Sequence, residues 1–320
     1  MIHENASPQS SGFAAHLFQV ARLVRLPNVM TLISNVLAAQ LVFSGSWNWT
    51  LLFVLPMSIA FYFAGMVGND VNDFEHDRAT RSDRVLPSGQ LTLEFAVRLR
   101  WLFNVLGLAI AILFSALIGS IYPLALAFVL LAAIEVYNRW AKRYWFGALV
   151  MGFCRTANLY LVASHWIFVM AANASNEWQH IYAWSMGLYV CGITGFARNE
   201  EKVSVRWSLI LAAFIAALGI VGIGIGISAI NHPNAPAADW FTISILFVLI
   251  LLPLIRTAAR AMIDPSSRNV QRTIGVGLRS IIILDAFVCL LVASDQRWMA
   301  IFVACLLVPS YLLSRKIPQT

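Results

Sequence analysis

Charge is scarce in this chain of 320 residues: Asp, Glu, Lys and Arg together make up 12% of it, against about 25% in a soluble globular domain. With 60% of the residues hydrophobic, there is too little polar surface to cover the apolar side chains in water. A soluble protein is excluded, and an integral membrane protein remains. Cysteine is sparse as well. Cys154, Cys191, Cys289 and Cys305 all lie inside apolar runs, which argues against a disulfide framework and against a zinc site. No run shows the period-two alternation of a membrane β-barrel. The opening MIHENASPQSSG is polar and carries neither Lys nor Arg. No early apolar core ends at a cleavage site, so a signal peptide is not expected, and the first membrane helix has to target the chain.

What is present is a series of apolar runs. A span needs about 20 such residues, and ten candidates lie near 28–44, 50–68, 93–118, 121–138, 146–169, 180–197, 207–230, 240–263, 275–294 and 298–314. Before them, Phe13, Leu17, Val20 and Val24 recur at helical spacing beside Arg22 and Arg25, the pattern of a helix lying in the membrane interface. Charge placement orients the spans. With the N-terminus in the cytoplasm, all but two of the 22 Lys and Arg residues fall on that side, as the positive-inside rule requires. Arg155, inside a span, and Arg297, in an outer turn, are the remaining two. The net charge of +7 is thus a topology signal, and no nucleic-acid partner is expected. The chain divides into a disordered 1–11, a single membrane domain over 12–316 and a short tail at 317–320.

The stretch with the most chemistry is Gly68–Gly89, GNDVNDFEHDRATRSDRVLPSG, which follows the second apolar run. If the helix continues through it, Asn69, Asp73 and Asp77 fall at i, i+4 and i+8 on one face, with Asp70 beside them. Stacked oxygen ligands of this kind suit a hard cation such as Mg²⁺ better than zinc. Because Mg²⁺ shares its shell with water and substrate phosphates, the stripe and its following arginines point to diphosphate handling. The alternative is a hydrated charged loop that only reinforces topology.

A second polar segment follows the sixth run: Arg198-Asn199-Glu200-Glu201-Lys202. The two loops can form opposite rims of one cavity in a helical bundle. Glu200 and Glu201 are then candidates for a second cation and Arg198 for phosphate oxygens, or the charges simply pair in the headgroup layer. Within the membrane, Arg155 and Asn158 lie about a turn apart. An Arg inside a span costs several kcal/mol unless it meets a polar interior, so Arg155 is expected to line the same cavity; the alternative is a pair with Glu135 that ties the bundle. Asp285, in neither mouth motif, reads as a buried structural acid. GIVGIGIGIS at 219–228 reads as close helix packing rather than a phosphate cradle.

Asn69-Asp70-x-x-Asp73-x-x-x-Asp77, followed by Asp83-Arg84-Val85-Leu86-Pro87-Ser88-Gly89, resembles the signature of the UbiA superfamily of intramembrane prenyltransferases. The resemblance extends to Arg25-Leu-Pro-Asn, to Asn35, and to Tyr137 with Lys142. It implies an all-α, polytopic transmembrane bundle of nine to ten spanning helices around a central cavity. It further implies Mg²⁺ held by Asn69, Asp73 and Asp77 on an isoprenyl diphosphate, with Arg84 and Lys142 on the phosphates and Tyr137 near the reacting carbon. Asp70, Asp73, Asp77 and Tyr137 are the catalytic candidates. Arg84, Lys142, Arg155, Asn158, Arg198, Glu200, Glu201 and Asn35 are the candidates for binding substrate. The family's second motif is rich in Asp, whereas this one reads Arg198-Asn199-Glu200-Glu201, which leaves a second Mg²⁺ open. Phe-Ala-Arg-x-Glu with the longer C-terminus resembles the EboC-like branch, which implies a bacterial inner membrane.

The resemblance implies Mg²⁺-dependent transfer of a prenyl group from an isoprenyl diphosphate to a lipophilic or aromatic acceptor within the membrane. Two rivals remain at this point. A carrier for prenylated or apolar metabolites would keep the cavity without the chemistry, as the altered second motif allows. A CDP-alcohol transferase also uses helical Asp clusters, but its Asp-Gly…Ala-Arg…Gly…Asp…Asp pattern is absent.

Overall fold

The computed structural model describes residues 12–166, 177–198, 205–228, 240–293 and 296–317. Its regular elements are helical, with no strand among the described residues. In a bilayer core a helix satisfies its own backbone N–H and C=O groups, which an open strand cannot do. In chain order the helices are α1 (Phe13–Leu23), α2 (Leu26–Ser44), α3 (Leu51–Asn72), α4 (Phe74–Thr80), α5 (Leu93–Ile118), α6 (Tyr122–Arg139) and α7 (Gly147–Ala163). They continue with α8 (Glu177–Ala197), α9 (Arg206–Ser228), α10 (Trp240–Ile263), α11 (Ser267–Val292), α12 (Trp298–Cys305) and α13 (Leu307–Ser314).

Each of the ten apolar runs holds a helix, and six of those helices are long and apolar enough to cross a membrane among the described residues. The last run departs from expectation. It forms two short helices, α12 and α13, on either side of Leu306 rather than one. Helix α1 forms where an interfacial helix is expected and leaves Phe13 and Leu17 exposed, while Leu23 is buried.

Helix α2 is the axis of the bundle. Of its apolar window 83% is buried, against 22% for α5, so α2 sits inside and α5 turns Leu102, Val105, Ile112 and Leu117 outward. Around α2 pack α3, α7, α11 and α13. Local signals set its ends: Pro27 lies in the first turn, and Gly45 closes it at φ 75°, a left-handed conformation that costs glycine little. The GIVGIGIGIS segment packs as expected: a Cβ on Gly219 would meet Tyr189 N at 2.5 Å, and one on Gly222 would meet Ser185 Oγ at 2.2 Å. Helices α8 and α9 therefore approach nearly backbone to backbone.

Candidate active site

The acidic stretch keeps its helical phase although the helix itself breaks. Asp73 stands between α3 and α4 at φ −94°, ψ −1°, yet its N–H bonds to Asn69 O at 3.0 Å and Asp77 N–H bonds to Asp73 O at 2.8 Å. The i→i−4 pattern carries across the junction, so Asn69, Asp73 and Asp77 still share a face. Beyond α4 the chain turns back. Val85, Leu86 and Leu91 are buried with Leu23, Val24 and Val67, a contribution of about 1.5–3 kcal/mol for each large side chain removed from water. Gly89, at φ 75°, completes that turn. The apolar anchor fixes Arg84 on the acidic face.

Three cations meet the acids. Lys142 Nζ lies 2.6 Å from Asp73 Oδ1 and donates to Asn69 Oδ1 at 3.1 Å. Arg84 Nη1 donates to Asp77 Oδ2 at 2.7 Å and stands 3.8 Å from Asp70 Oδ1. Arg25 Nη2 reaches Asp70 Oδ1 at 3.5 Å. Burial pulls the Lys142 ammonium below the usual lysine value of 10.5, and the Asp73 carboxylate pushes back upward. Arg25 is held at φ 49°, a left-handed conformation that costs a non-glycine residue about 1–2 kcal/mol. Its carbonyl accepts a bond from Tyr62 OH at 3.3 Å.

These residues edge a polar cavity of about 460 Å³. Asn69, Asp73, Arg84, Tyr137 and Lys142 line one part of it, while Thr194, Ala197 and Arg198 from the end of α8 line another. Arg198, which opens the second motif, thus edges the same space as the first. Asp77, 3% exposed, and Asp70 lie behind this wall, bound to arginines. Glu200 and Glu201 lie outside the described residues.

A second, apolar cavity of about 120 Å³ adjoins the first and includes Phe61, Tyr62, Ile134 and Met151 in its walls. Tyr137 lines both. Arg155 and Asn158 line the apolar cavity and not the polar one, which corrects the expectation that Arg155 belongs to the mouth. Glu135 is not its partner either, being bound to Arg100 and Arg139. The reason is depth: both residues lie beyond the first two turns of α7, inside the bundle. Arg155 Nη1 instead donates to Asn35 Oδ1 at 3.5 Å. Asp285 is fully buried, as a structural acid should be, and accepts from Ser34 Oγ at 2.7 Å and from Asn35 Nδ2 and Tyr182 OH at 3.1 Å.

The donor set fits Mg²⁺ in a specific sense. Asn69 Oδ1 and Asp73 Oδ1 converge on one point, since a single cationic atom touches both. Among the described residues no three His, Cys, Asp or Glu side chains form a ready-made cage. An incomplete oxygen site is what Mg²⁺ uses when phosphates and water supply the rest of its shell. Sequence reasoning left Arg25, His76, Arg81, Arg143 and Tyr144 out of the site, although all line the polar cavity. Arg143 was findable as a neighbour of Lys142, and Arg25 and Arg81 lie in stretches already singled out; what sets Arg25 at the site is its backbone conformation, which no local pattern announces.

Residues 28–198, more than half of the chain, match the profile of the UbiA prenyltransferase family. The chain belongs to that family. It is 30% identical over 125 residues to a digeranylgeranylglyceryl phosphate synthase of Sulfolobus acidocaldarius, a match that spans 38% of this chain and 42% of the relative. The fold matches that of a UbiA homologue from Aeropyrum pernix K1 with a TM-score of 0.62 at 16% identity, over 81% of this chain and 97% of the other. A UbiA homologue from Archaeoglobus fulgidus bound to GPP and Mg²⁺ gives 0.59 at 14% identity, over 90% and 99%. At these identities the structures show that the UbiA fold is shared.

Proposed function

We propose that this UbiA-family protein transfers a prenyl group from an isoprenyl diphosphate to a lipophilic, aromatic acceptor inside the membrane, with Mg²⁺ as cofactor. The observation that carries the reading is a pair of adjacent cavities with Tyr137 in both linings. One is polar, with Asn69 and Asp73 oxygens converging beside Lys142 and Arg84; the other is apolar, and Tyr137 stands at the wall they share. A diphosphate with an apolar tail has the same two-part character. That a UbiA homologue from Archaeoglobus fulgidus is bound to GPP and Mg²⁺ supports the assignment. The polar cavity faces the cytoplasm in this reading, which the bias of Lys and Arg supports.

In this reading Asn69 and Asp73 would hold Mg²⁺, with Asp77 behind them fixing Arg84, and the ion would neutralise charge on the diphosphate. Lys142, Arg84 and Arg198 bind phosphate oxygens by charge-assisted hydrogen bonds. The allylic C–O bond breaks, and its electron pair leaves with the diphosphate oxygen. These cations stabilise that charge where it develops, which is where electrostatic catalysis acts. Tyr62, Phe61 and Tyr137 turn aromatic walls to the apolar space, where ring faces stabilise an allylic cation and the exclusion of water protects it. The acceptor supplies the electron pair for the new bond and then loses a proton.

The test is pyrophosphate release together with prenylated product, measured in proteoliposomes supplied with geranyl diphosphate, Mg²⁺ and a lipid extract of the host cell. Asp73→Ala is expected to stop both. Geranyl diphosphate that binds without ever being split would make the chain a carrier.

A further inference from the structure

Apart from the two cavities of the candidate site, a groove of about 310 Å³ lies between α10 and α13, across α11. Helices α10 and α13 each pack on α11, but among the described residues they do not pack closely on each other, which leaves the gap. Pro253 of α10, Ile283 of α11 and Leu307 of α13 give it apolar walls. Arg279 of α11 and Tyr311 of α13 line it as well, each one helical turn from Ile283 and Leu307. Beside Tyr311, Ser310 Oγ donates to the carbonyl of Pro27 at 3.4 Å. Pro27 is two residues from Arg25, so this end of the groove is the end of the bundle that carries the polar cavity.

Charge sets what the groove accepts. From Trp240 to Thr320 the chain carries eight Lys and Arg residues against three Asp and no Glu. Two of those acids are engaged elsewhere. Asp264 accepts from Ser266 and Asn269, and Asp285 from Ser34, Asn35 and Tyr182. A surplus of cations at helix ends follows the positive-inside bias, but Arg279 is not at an end. Arg268, Arg272 and Arg279 fall at i, i+4 and i+11 on one face of α11, and Arg279 stands about 10 Å further along the axis than Arg272. A guanidinium at such depth is costly unless polar groups meet it, and it has five N–H donors to satisfy. Arg315 Nη2 donates to the Tyr311 hydroxyl at 2.9 Å, so that hydroxyl keeps its own proton to give. The polar end is therefore rich in donors and positively charged.

We infer that this groove holds an anionic phospholipid of the surrounding membrane, with its phosphate on Arg279, Arg315 and Tyr311 and an acyl chain along Pro253, Ile283 and Leu307. A guanidinium meets phosphate oxygens through paired, charge-assisted N–H bonds, and basic pockets between membrane helices take anionic headgroups. A zwitterionic lipid fills the apolar part equally well, but it brings a further cation to a site that already has two. The lipid fills the gap beside α13 and so holds that helix, which reaches α2 through Ser310. None of this rests on the transferase reading.

The test places the purified full chain in nanodiscs of phosphatidylcholine with a minor share of phosphatidylglycerol of the same acyl chains. Lipid retained on the protein after transfer to detergent is read by native mass spectrometry. Wild type is expected to retain phosphatidylglycerol at least about tenfold above its share of the bilayer, the value of one charge-assisted hydrogen bond. Arg279→Gln is expected to remove most of that enrichment. Arg272→Gln makes the same charge change on the same face, nearer the helix start, and is expected to leave most of it. Ile283→Trp fills the apolar part and keeps every charge; it is expected to lower retention too, and it decides the matter should Arg279→Gln fold poorly. No enrichment on wild type, or equal losses with Arg279→Gln and Arg272→Gln, overturns the site, the second because the attraction would then be diffuse. Retention that excess inorganic phosphate abolishes and Ile283→Trp leaves intact would make the groove a site for a free anion, and the lipid assignment would fall.

Discussion

The polar mouth and the buried polar end of the apolar cavity solve the same problem, ionic groups in a greasy bundle, by different means. At the mouth, charges pair directly and densely: Lys142 with Asp73, Arg84 with Asp77 and Asp70, Arg25 with Asp70. Deeper in the bundle, Asp285 and Arg155 do not touch but share one amide, Asn35. Direct pairing suits a site that exchanges one set of charges for another when a metal and a diphosphate arrive. An indirect link suits a site that must keep one cation pointed at a cavity. Had Arg155 met Asp285 directly, its donors would be spent on the acid.

If the mouth is where bond breaking is assisted, the largest effect belongs there. Asp73→Ala is expected to lower prenyl transfer by about 10²–10³-fold, the cost of removing a preorganised charge-stabilising group, as read from pyrophosphate release at saturating donor. A loss smaller than about tenfold would move the site elsewhere. Next comes the pair that joins the wall to the acid behind it, Arg84 with Asp77. Arg84→Met leaves the nearly buried Asp77 carboxylate alone, and breaking such a pair costs about 3 kcal/mol, seen as a lowered thermal midpoint. Adding Asp77→Leu should recover most of that midpoint, because a buried pair replaced by apolar side chains is often neutral, but should not recover transfer. Recovery of both would make the pair mere scaffold.

The contrast between the two regions also explains what could be read from the sequence. Asn69, Asp73 and Asp77 show their alignment through spacing alone, and the alignment survives the break at Asp73 because the backbone bonds bridge it. The bundle itself followed from apolar runs and basic links. The acid Asp285 could be recognised as buried, but its bond to Ser34 joins residues 251 positions apart. No local period encodes such a contact; it exists because α2 and α11 pack together. The same holds for Arg155, whose assignment to the mouth required knowing how far along α7 the polar space extends. Arg25 is a third case, since a left-handed backbone at a residue other than glycine is set by tertiary packing and not by its own preference.

Helix approach gives a smaller and more graded way to test the buried region. A Cβ on Gly187 would stand 2.0 Å from Thr156 Oγ1 and 2.8 Å from Gly152 O, so Gly187→Ala must push α8 away from α7, the helix that carries Arg155 and Asn158. Overpacking of this kind costs about 1–3 kcal/mol. The thermal midpoint should fall, and geranyl diphosphate should lose more affinity than inorganic pyrophosphate does, because the displaced wall belongs to the apolar cavity that takes the prenyl tail in the proposed reading. Equal losses for both ligands would mean that the two cavities do not behave as separate regions.

Tyr137 provides the finest test, because it belongs to both regions at once. As an aromatic wall beside a developing allylic cation, it acts through its ring face, which phenylalanine also has. Tyr137→Phe is therefore expected to change kcat by no more than about threefold, well under the roughly 1.4 kcal/mol that a tenfold loss represents. Tyr137→Leu keeps the apolar bulk but removes the quadrupole, worth about 0.5–2 kcal/mol to a nearby cation, and should lower kcat by a further several-fold with little change in donor KM. The opposite ranking, a large loss with phenylalanine and no additional loss with leucine, would assign the effect to the hydroxyl. Tyr137 would then be a polar member of the mouth, binding phosphate or passing a proton, and the boundary between the two cavities would lie one layer deeper, at Tyr62 and Ile134.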